Sequence, residues 1–219
     1  MADITPISLL LDASKKESFE HFKPQMEQAM LFRQKERGRV FAITRAIKNG
    51  VKDGLFVEFG VAEGGGCRTF GKILGRNGLT MTGFDSFEGL QEDWTGIQTG
   101  RAAGAFSTGG ALPKVPDNVT LVKGWVQDTL PGYLKEHKGR AFGFIHMDMD
   151  TYTPTAYAMK AVKKHLRKGT VILFDELYGY PGWRHHEYKA LTETLDDKDY
   201  TYISFAPESV AIEMLRTPK

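Results

Sequence analysis

Residues 57–66 read VEFGVAEGGG, the end of a short apolar run that breaks into glycines just ahead of a helical stretch. In open α/β sheets, ligands bind beyond the carboxyl ends of the strands, and small residues let the backbone approach them closely. A phosphate-cradling P-loop is excluded, because no Gly-Lys-Ser/Thr follows. A dinucleotide turn is nearly spelled, with Gly60, Ala62 and Gly65 at its three glycine positions. It fails at Ala62, where a pyrophosphate needs the closest approach, and at Glu58 and Glu63, whose charge repels one. Acids at such a turn suit a ligand with a cationic end, an amino-acid ammonium or a sulfonium.

Outward from this turn, short apolar runs recur. LFVEFG (55–60), LTMTGFD (79–85), VTLVKGWV (119–126), AFGFIHMD (141–148) and TVILFDE (170–176) read as strands. Helical stretches at 68–74, 128–136 and 155–166 lie between most of them. This alternation predicts an α/β fold: a Rossmann-like, mostly parallel sheet with helices on both faces. The unbroken apolar character of the runs suits strands buried on both sides. After a helix at 187–195, YTYISF (200–205) and VAIEMLR (210–216) flank a short Ala-Pro-Glu-Ser connection. They predict a C-terminal antiparallel hairpin and bring the count to seven strands. Residues 1–50 read as a helical cap of the same domain, before a catalytic region spanning 51–219. Ser14 and Glu17 have the spacing of a capping box. Phe19, Phe22, Met26, Ala29 and Met30 form one apolar face, expected in the core. Pro24 is expected to break or kink that region. A second helix is expected to stop near Asn49-Gly50.

Composition narrows the class. At 219 residues, one domain with a substantial core is expected. Charges nearly cancel, 29 basic against 27 acidic, which argues against a nucleic-acid partner. Glycine stands out: 24 residues, against roughly 15 at average usage of about 7%. Sixteen of them fall between Gly54 and Gly124, the stretch that begins with the glycine turn. The single Cys67 excludes an intrachain disulfide and a zinc ribbon. MADITPISLL lacks the basic and apolar regions of a signal peptide, and no apolar run is long enough to span a membrane. A cytoplasmic location is the expectation, with no membrane partner.

Chemistry-bearing residues cluster at strand ends. Asp85 closes the second strand, 27 residues after Glu58, where an acid accepts both hydroxyls of a ribose; its plainer reading is a helix cap. Trp125 follows the third strand, either stacked on a base or packed in the core. His146, Asp148 and Asp150 follow the fourth strand, and Asp175 and Glu176 the fifth. Four carboxylates at one sheet edge call for positive charge. Oxygen ligands suit a hard cation, Mg²⁺ or else Ca²⁺ or Mn²⁺. Asp150 or His146 is the expected base. YGYPGWRHHEY (178–188) offers Tyr178, Tyr180 and Trp183, with Tyr152 before it, as acceptor contacts. His185 and His186 are alternative bases. The glycine-rich stretch 97–116 reads either as a lid over the acceptor or as a surface excursion.

Taken in order, VEFGVAEGGG, GFDSFEGL (83–90), VKGWVQDTLP (122–131), HMDMDTYTPT (146–155) and FDELYGYPGW (174–183) resemble the class I S-adenosylmethionine-dependent methyltransferases. The resemblance is closest to the macrocin/mycinamicin (TylF-like) O-methyltransferases and covers about residues 55–185. It implies the seven-stranded sheet with its terminal hairpin. It also implies methyl transfer from S-adenosylmethionine to a hydroxyl, often on a sugar or other diol-like acceptor, with a magnesium ion. By this match the cofactor contacts are Glu58, Gly60, Val61, Glu63, Gly64, Gly65, Asp85, Ser86, Gly124, Trp125 and Asp148. Asp148, Asp175 and Glu176 are the implied metal ligands, Glu176 standing where the family usually has Asp. Members are often dimers or larger, so a homo-oligomer is expected. Two alternatives stand beside this: a metal-independent N- or carboxyl-methyltransferase, and a non-catalytic S-adenosylmethionine-binding protein.

Overall fold

Every apolar run named above becomes a strand. The computed structural model describes residues 5–97 and 101–219. In chain order the elements are α1 (Pro6–Met26), β1 (Met30–Leu31), α2 (Lys35–Asn49), β2 (Leu55–Phe59) and α3 (Gly65–Gly75). Then come β3 (Met81–Asp85), β4 (Val119–Lys123), α4 (Val126–Glu136), β5 (Phe142–Met147) and α5 (Tyr152–Val162). The chain ends with β6 (Val171–Phe174), α6 (Glu187–Thr194), β7 (Tyr200–Phe205) and β8 (Val210–Met214). One sheet joins the strands in the order β1-β7-β8-β6-β5-β2-β3-β4. The inner strands are parallel, and β8 runs antiparallel to both β6 and β7. The two-residue β1, too short to carry a periodicity, adds an eighth strand beside β7.

The strands β2, β5 and β6 are buried along their whole length. Their side chains feed two apolar cores, one on each face of the sheet. That burial fixes the register, so the carboxyl ends of β2, β3, β5 and β6 come level. The strand order reverses between β2 and β5, which places a crevice there.

The N-terminal region departs from expectation. Helix α1 begins earlier, at Pro6, where Thr5 and Ser8 form the capping box. Ser14 lies inside it, its hydroxyl donating to the Leu10 carbonyl at 2.7 Å. Pro24 sits in the last turn, and the helix ends two residues later. Of the expected apolar face only Phe22 is fully buried, wedged among Tyr178, Trp183, Tyr188, Tyr202 and Phe205. Phe19 and Met30 are exposed. Helix α2 ends as its Asn-Gly predicts, with Gly50 in the left-handed conformation.

Candidate active site

At the crevice a cavity of about 330 Å³ opens onto the ends of β2, β3, β5 and β6. Its floor is the glycine turn. Gly60 has φ of +89°, and a Cβ there would stand 1.7 Å from the Asp148 carbonyl oxygen. Only glycine lets β2 turn so close beneath β5. Asp85 holds the next residues in place: its Oδ2 accepts the Val61 and Ala62 amides at 2.7 and 2.8 Å. Its Oδ1 accepts the Phe87 amide at 2.6 Å. A carboxylate offers about four acceptor positions. Asp85 therefore clamps the turn and still keeps one position toward the cavity it lines. Gly60, Val61, Ser86, Gly124, Trp125 and Asp148 line it too.

Four expected cofactor contacts do not line it. Glu58 is 1% exposed and turns inward, its Oε1 accepting from His146 Nδ1 at 2.8 Å. It fits because a Cβ on Gly66 would stand 1.8 Å from that oxygen. Glu63 is exposed, and its carbonyl receives Arg68. Gly64 (φ +80°) precedes α3 as its cap, and Gly65 is its first residue.

The acids after β5 and β6 meet cations. His146, fully buried, lies between Glu58 Oε1 and Asp175 Oδ1, the latter 3.2 Å from Nε2. Burial alone would lower its pKa, but the hydrogen bonds to Asp175 and Glu58 raise it to about 10. Both ring nitrogens face a carboxylate oxygen, and His146 does not line the cavity. Lys35 Nζ stands 3.0 Å from Asp175 Oδ2 and 2.7 Å from Glu176 Oε1. Arg39 donates to Asp175 Oδ1 from Nε at 3.1 Å and Nη2 at 2.8 Å. Burial opposes ionisation of Asp175, yet His146, Lys35 and Arg39 hold its carboxyl well below the usual range. Burial and the Asp175 charge push Glu176 well above it. Asp150 lines the cavity with φ of +63°, a strained conformation for a non-glycine residue. Burial raises its carboxyl to about 7, against the opposing hydrogen bond from Glu176.

The chain matches the sequence model of a methyltransferase domain over residues 57–177. It belongs to that methyltransferase family. A calicheamicin methyltransferase, CalS11, shares the fold, with a TM-score of 0.63 and 20% identity over 97% of this chain and 94% of that one. Its apo structure, described as a TDP-rhamnose 3'-O-methyltransferase, gives 0.58 and 21% over 97% of each chain. The O-methyltransferase NovP gives 0.61 and 21%, over 83% of this chain and 79% of that one. A search of curated proteins finds no match.

The methyltransferase places the residues expected to contact an acceptor away from the cavity. Tyr180 and Trp183 are buried in the core. Tyr178 donates its hydroxyl to the Ala206 carbonyl, and Tyr152 donates to Glu193. None of the four lines the cavity: Tyr178 and Trp183 pack against Phe22 of α1, and Tyr180 against Trp94. His185 is exposed, and His186 faces the Thr95 carbonyl at 2.9 Å, so neither histidine reaches the cavity. The outer wall comes from Leu90, Gln91, Trp94 and Phe106. Backbone bonds Leu90 to Ala105, Gly104 to Leu90 and Trp94 to Arg101 tie this segment back on itself. The part of the glycine-rich stretch at 98–100 lies outside the described residues.

Cations take part of the implied metal set and leave part of it open. Asp175 Oδ1 receives Arg39 twice and His146 once, and Oδ2 receives Lys35. Oδ1 is fully engaged, and Oδ2 keeps one acceptor position. Glu176 Oε1 is spent on Lys35. Oxygens of Asp148, Asp150 and Glu176 do approach within 4.8 Å of one another. In that trio Glu176 offers Oε2, which is buried without a hydrogen-bond partner, while Lys35 holds Oε1.

Proposed function

We propose that this methyltransferase moves a methyl group from S-adenosylmethionine to a hydroxyl of a small molecule, with Asp150 as the base. The observation that carries the reading is the place of Asp150: strained, in the cavity wall, across from the glycine turn. Family membership supplies the group transferred. The printed descriptions of CalS11 and NovP support a hydroxyl, and a sugar or similar diol-like natural product, as acceptor.

S-adenosylmethionine, when bound, supplies an electrophilic methyl on a sulfonium. The free acceptor position of Asp85 suits ribose hydroxyls, and Trp125 and Val126 offer apolar surface for an adenine. Trp94 and Phe106 offer apolar surface on the outer side. Asp150 takes the hydroxyl proton as the oxygen–carbon bond forms and the sulfur–carbon bond breaks. Its carboxyl near 7 is ionised at neutral pH often enough to do so. The remaining work is alignment of the two reactants. Lys35, Arg39 and His146 hold Asp175, so Asp148, Asp150 and the unpartnered Oε2 of Glu176 are the groups that would hold a divalent cation, which would lower the pKa of a bound hydroxyl.

The same proposal includes a cytoplasmic protein without nucleic-acid or membrane partners; no described helix is long and apolar enough to cross a membrane. It also includes a homodimer. Ile7, Leu9, Leu10, Phe19, Met30 and Leu31, all exposed and all from α1 and β1, are the apolar surface that supports it.

The test uses S-adenosylmethionine with a panel of hydroxylated acceptors headed by TDP-rhamnose, reading release of S-adenosylhomocysteine. Asp150→Asn is expected to lower turnover by about 10²–10⁴ while calorimetry gives unchanged S-adenosylhomocysteine affinity. Undiminished turnover in Asp150→Asn would overturn the role of Asp150. Absence of S-adenosylhomocysteine binding to the wild type would overturn the reading as a whole.

A further inference from the structure

Asp175, Glu176 and Leu177 follow β6, beyond its last ladder pair at Phe174. Buried amides there still need acceptors. Asp175 donates its amide to the Met147 carbonyl at 3.0 Å, and Leu177 to the Glu208 carbonyl at 2.8 Å. The Glu176 amide between them has a side chain instead, Glu187 Oε2 at 3.0 Å. The Glu176 carbonyl accepts the Tyr180 hydroxyl at 3.3 Å. Lys35 takes Oε1. The atom left over is Oε2, buried and without a hydrogen-bond partner.

Glu187 is fully buried, and its own Oε1 has no partner. An apolar residue of that size would avoid the cost of burying a carboxyl. It is the first residue of α6, a helix seated in the core by Ala190, Leu191 and Thr194. Tyr180 is buried too, its ring edge-on to Trp94 of the cavity wall. Neither Glu187 nor Tyr180 lines the cavity, so what they contribute passes through Glu176.

We propose that Glu187 and Tyr180 are positioning residues, which clamp the amide and the carbonyl of Glu176 so that its free oxygen is presented to a divalent cation shared with Asp148 and Asp150. Oxygens of these three carboxylates lie within 4.8 Å of one another. A free glutamate side chain loses rotamer freedom when it takes hold of an ion. With its backbone clamped and Oε1 on Lys35, Glu176 loses that freedom on folding, and the ion meets a ligand already in place. The segment 178–188 thus serves the cavity from behind rather than by touching an acceptor. The inference rests on the reading in which these three acids would hold a cation.

The experiment needs no acceptor. Protein freed of metal with EDTA and dialysed is titrated with Mn²⁺, and the free ion is followed by electron paramagnetic resonance. Calorimetry of the same samples reads S-adenosylhomocysteine binding. The wild type is expected to hold one Mn²⁺ per chain. Glu187→Leu offers the Glu176 amide no acceptor and is expected to bind Mn²⁺ about 10–100-fold more weakly, with S-adenosylhomocysteine affinity unchanged. Glu187→Gln loses the same charge but keeps an oxygen for the amide, and is expected to bind Mn²⁺ as the wild type does. Tyr180→Phe is expected to weaken Mn²⁺ binding by about two- to tenfold, the equivalent of one neutral hydrogen bond. Equal weakening in Glu187→Gln and Glu187→Leu would assign the effect to charge and overturn the clamp. Wild-type Mn²⁺ affinity in a folded Glu187→Leu would overturn it as well. Circular dichroism checks folding; where Glu187→Leu does not fold, Tyr180→Phe decides alone, and wild-type affinity there overturns the clamp. A wild type that holds no Mn²⁺ would sink the cation reading and the inference with it, whereas a wild type that holds Mn²⁺ beside unaffected variants would sink the inference alone.

Discussion

The two ends of the cavity answer the same problem in different ways. At the β2–β3 end, Asp85 is met by three backbone amides, all from residues within 24 positions of it. At the β5–β6 end, Asp175 and Glu176 are met by side chains of Lys35 and Arg39, 136 to 141 positions away. Amides are fixed by the turn they belong to and carry no net charge. Cations on a distant helix arrive only if the helix packs, and their loss leaves a charge behind. The first end is local and self-contained; the second ties helix α2 to the cavity.

The largest expected effect breaks the second end. Asp175→Ala removes the carboxylate that His146, Lys35 and Arg39 share, leaving them Glu58, Glu176 and Asp148, and losing one partner of a buried ion pair costs about 3–5 kcal/mol. Urea unfolding should show a loss of that size. A loss below about 1 kcal/mol would mean that the cations find water at little cost, as exposed pairs do, and the contrast between the ends would disappear.

The pH dependence sharpens the same point with the chain intact. His146 rises from 6.5 in the unfolded chain to about 10 when folded. Its stabilisation is therefore complete below pH 6.5 and is lost as pH climbs toward 10. Asp150, raised from 3.8 to about 7, acts in the same sense at lower pH. Wild-type stability is expected to fall between pH 6.5 and 10, and His146→Gln should flatten that fall. Parallel curves for the two proteins would place the proton elsewhere. Turnover should move oppositely at first, rising through about pH 7 as Asp150 ionises.

What the sequence reveals follows the same division. The seven longer strands are legible because each is an apolar run that packs where it stands, and the glycine turn is legible because its geometry is set by its own residues. The aromatic segment 178–188 misleads: its rings look available, but Phe22, more than 150 positions earlier, takes them into the core. The wall residues Trp94 and Phe106 sit in a stretch without periodicity, so nothing local marks them. Lys35 and Arg39 left one faint signal. A lysine as the first residue of a helix opposes the helix dipole, so its presence there points to acids outside the helix.

The smallest expected effect tests the local end. Asp85→Asn keeps the shape of the side chain but removes its charge and places an amide nitrogen where an oxygen accepted. If that nitrogen replaces Oδ1, the Phe87 amide loses its acceptor; if it replaces Oδ2, the Val61 and Ala62 amides lose theirs. Hydrogen bonds to a charged group contribute about 1.5–3 kcal/mol and neutral ones about 1. The difference predicts a stability loss of about 1 kcal/mol, well under that of Asp175→Ala. Ala62, at φ of +44°, depends on this clamp to stay in an unfavoured conformation. The turn should therefore loosen before the fold does, and calorimetry should read weaker S-adenosylhomocysteine binding at nearly unchanged stability. Equal losses at Asp85 and Asp175 would show that amides and distant cations are interchangeable here, and would remove the distinction between the two ends.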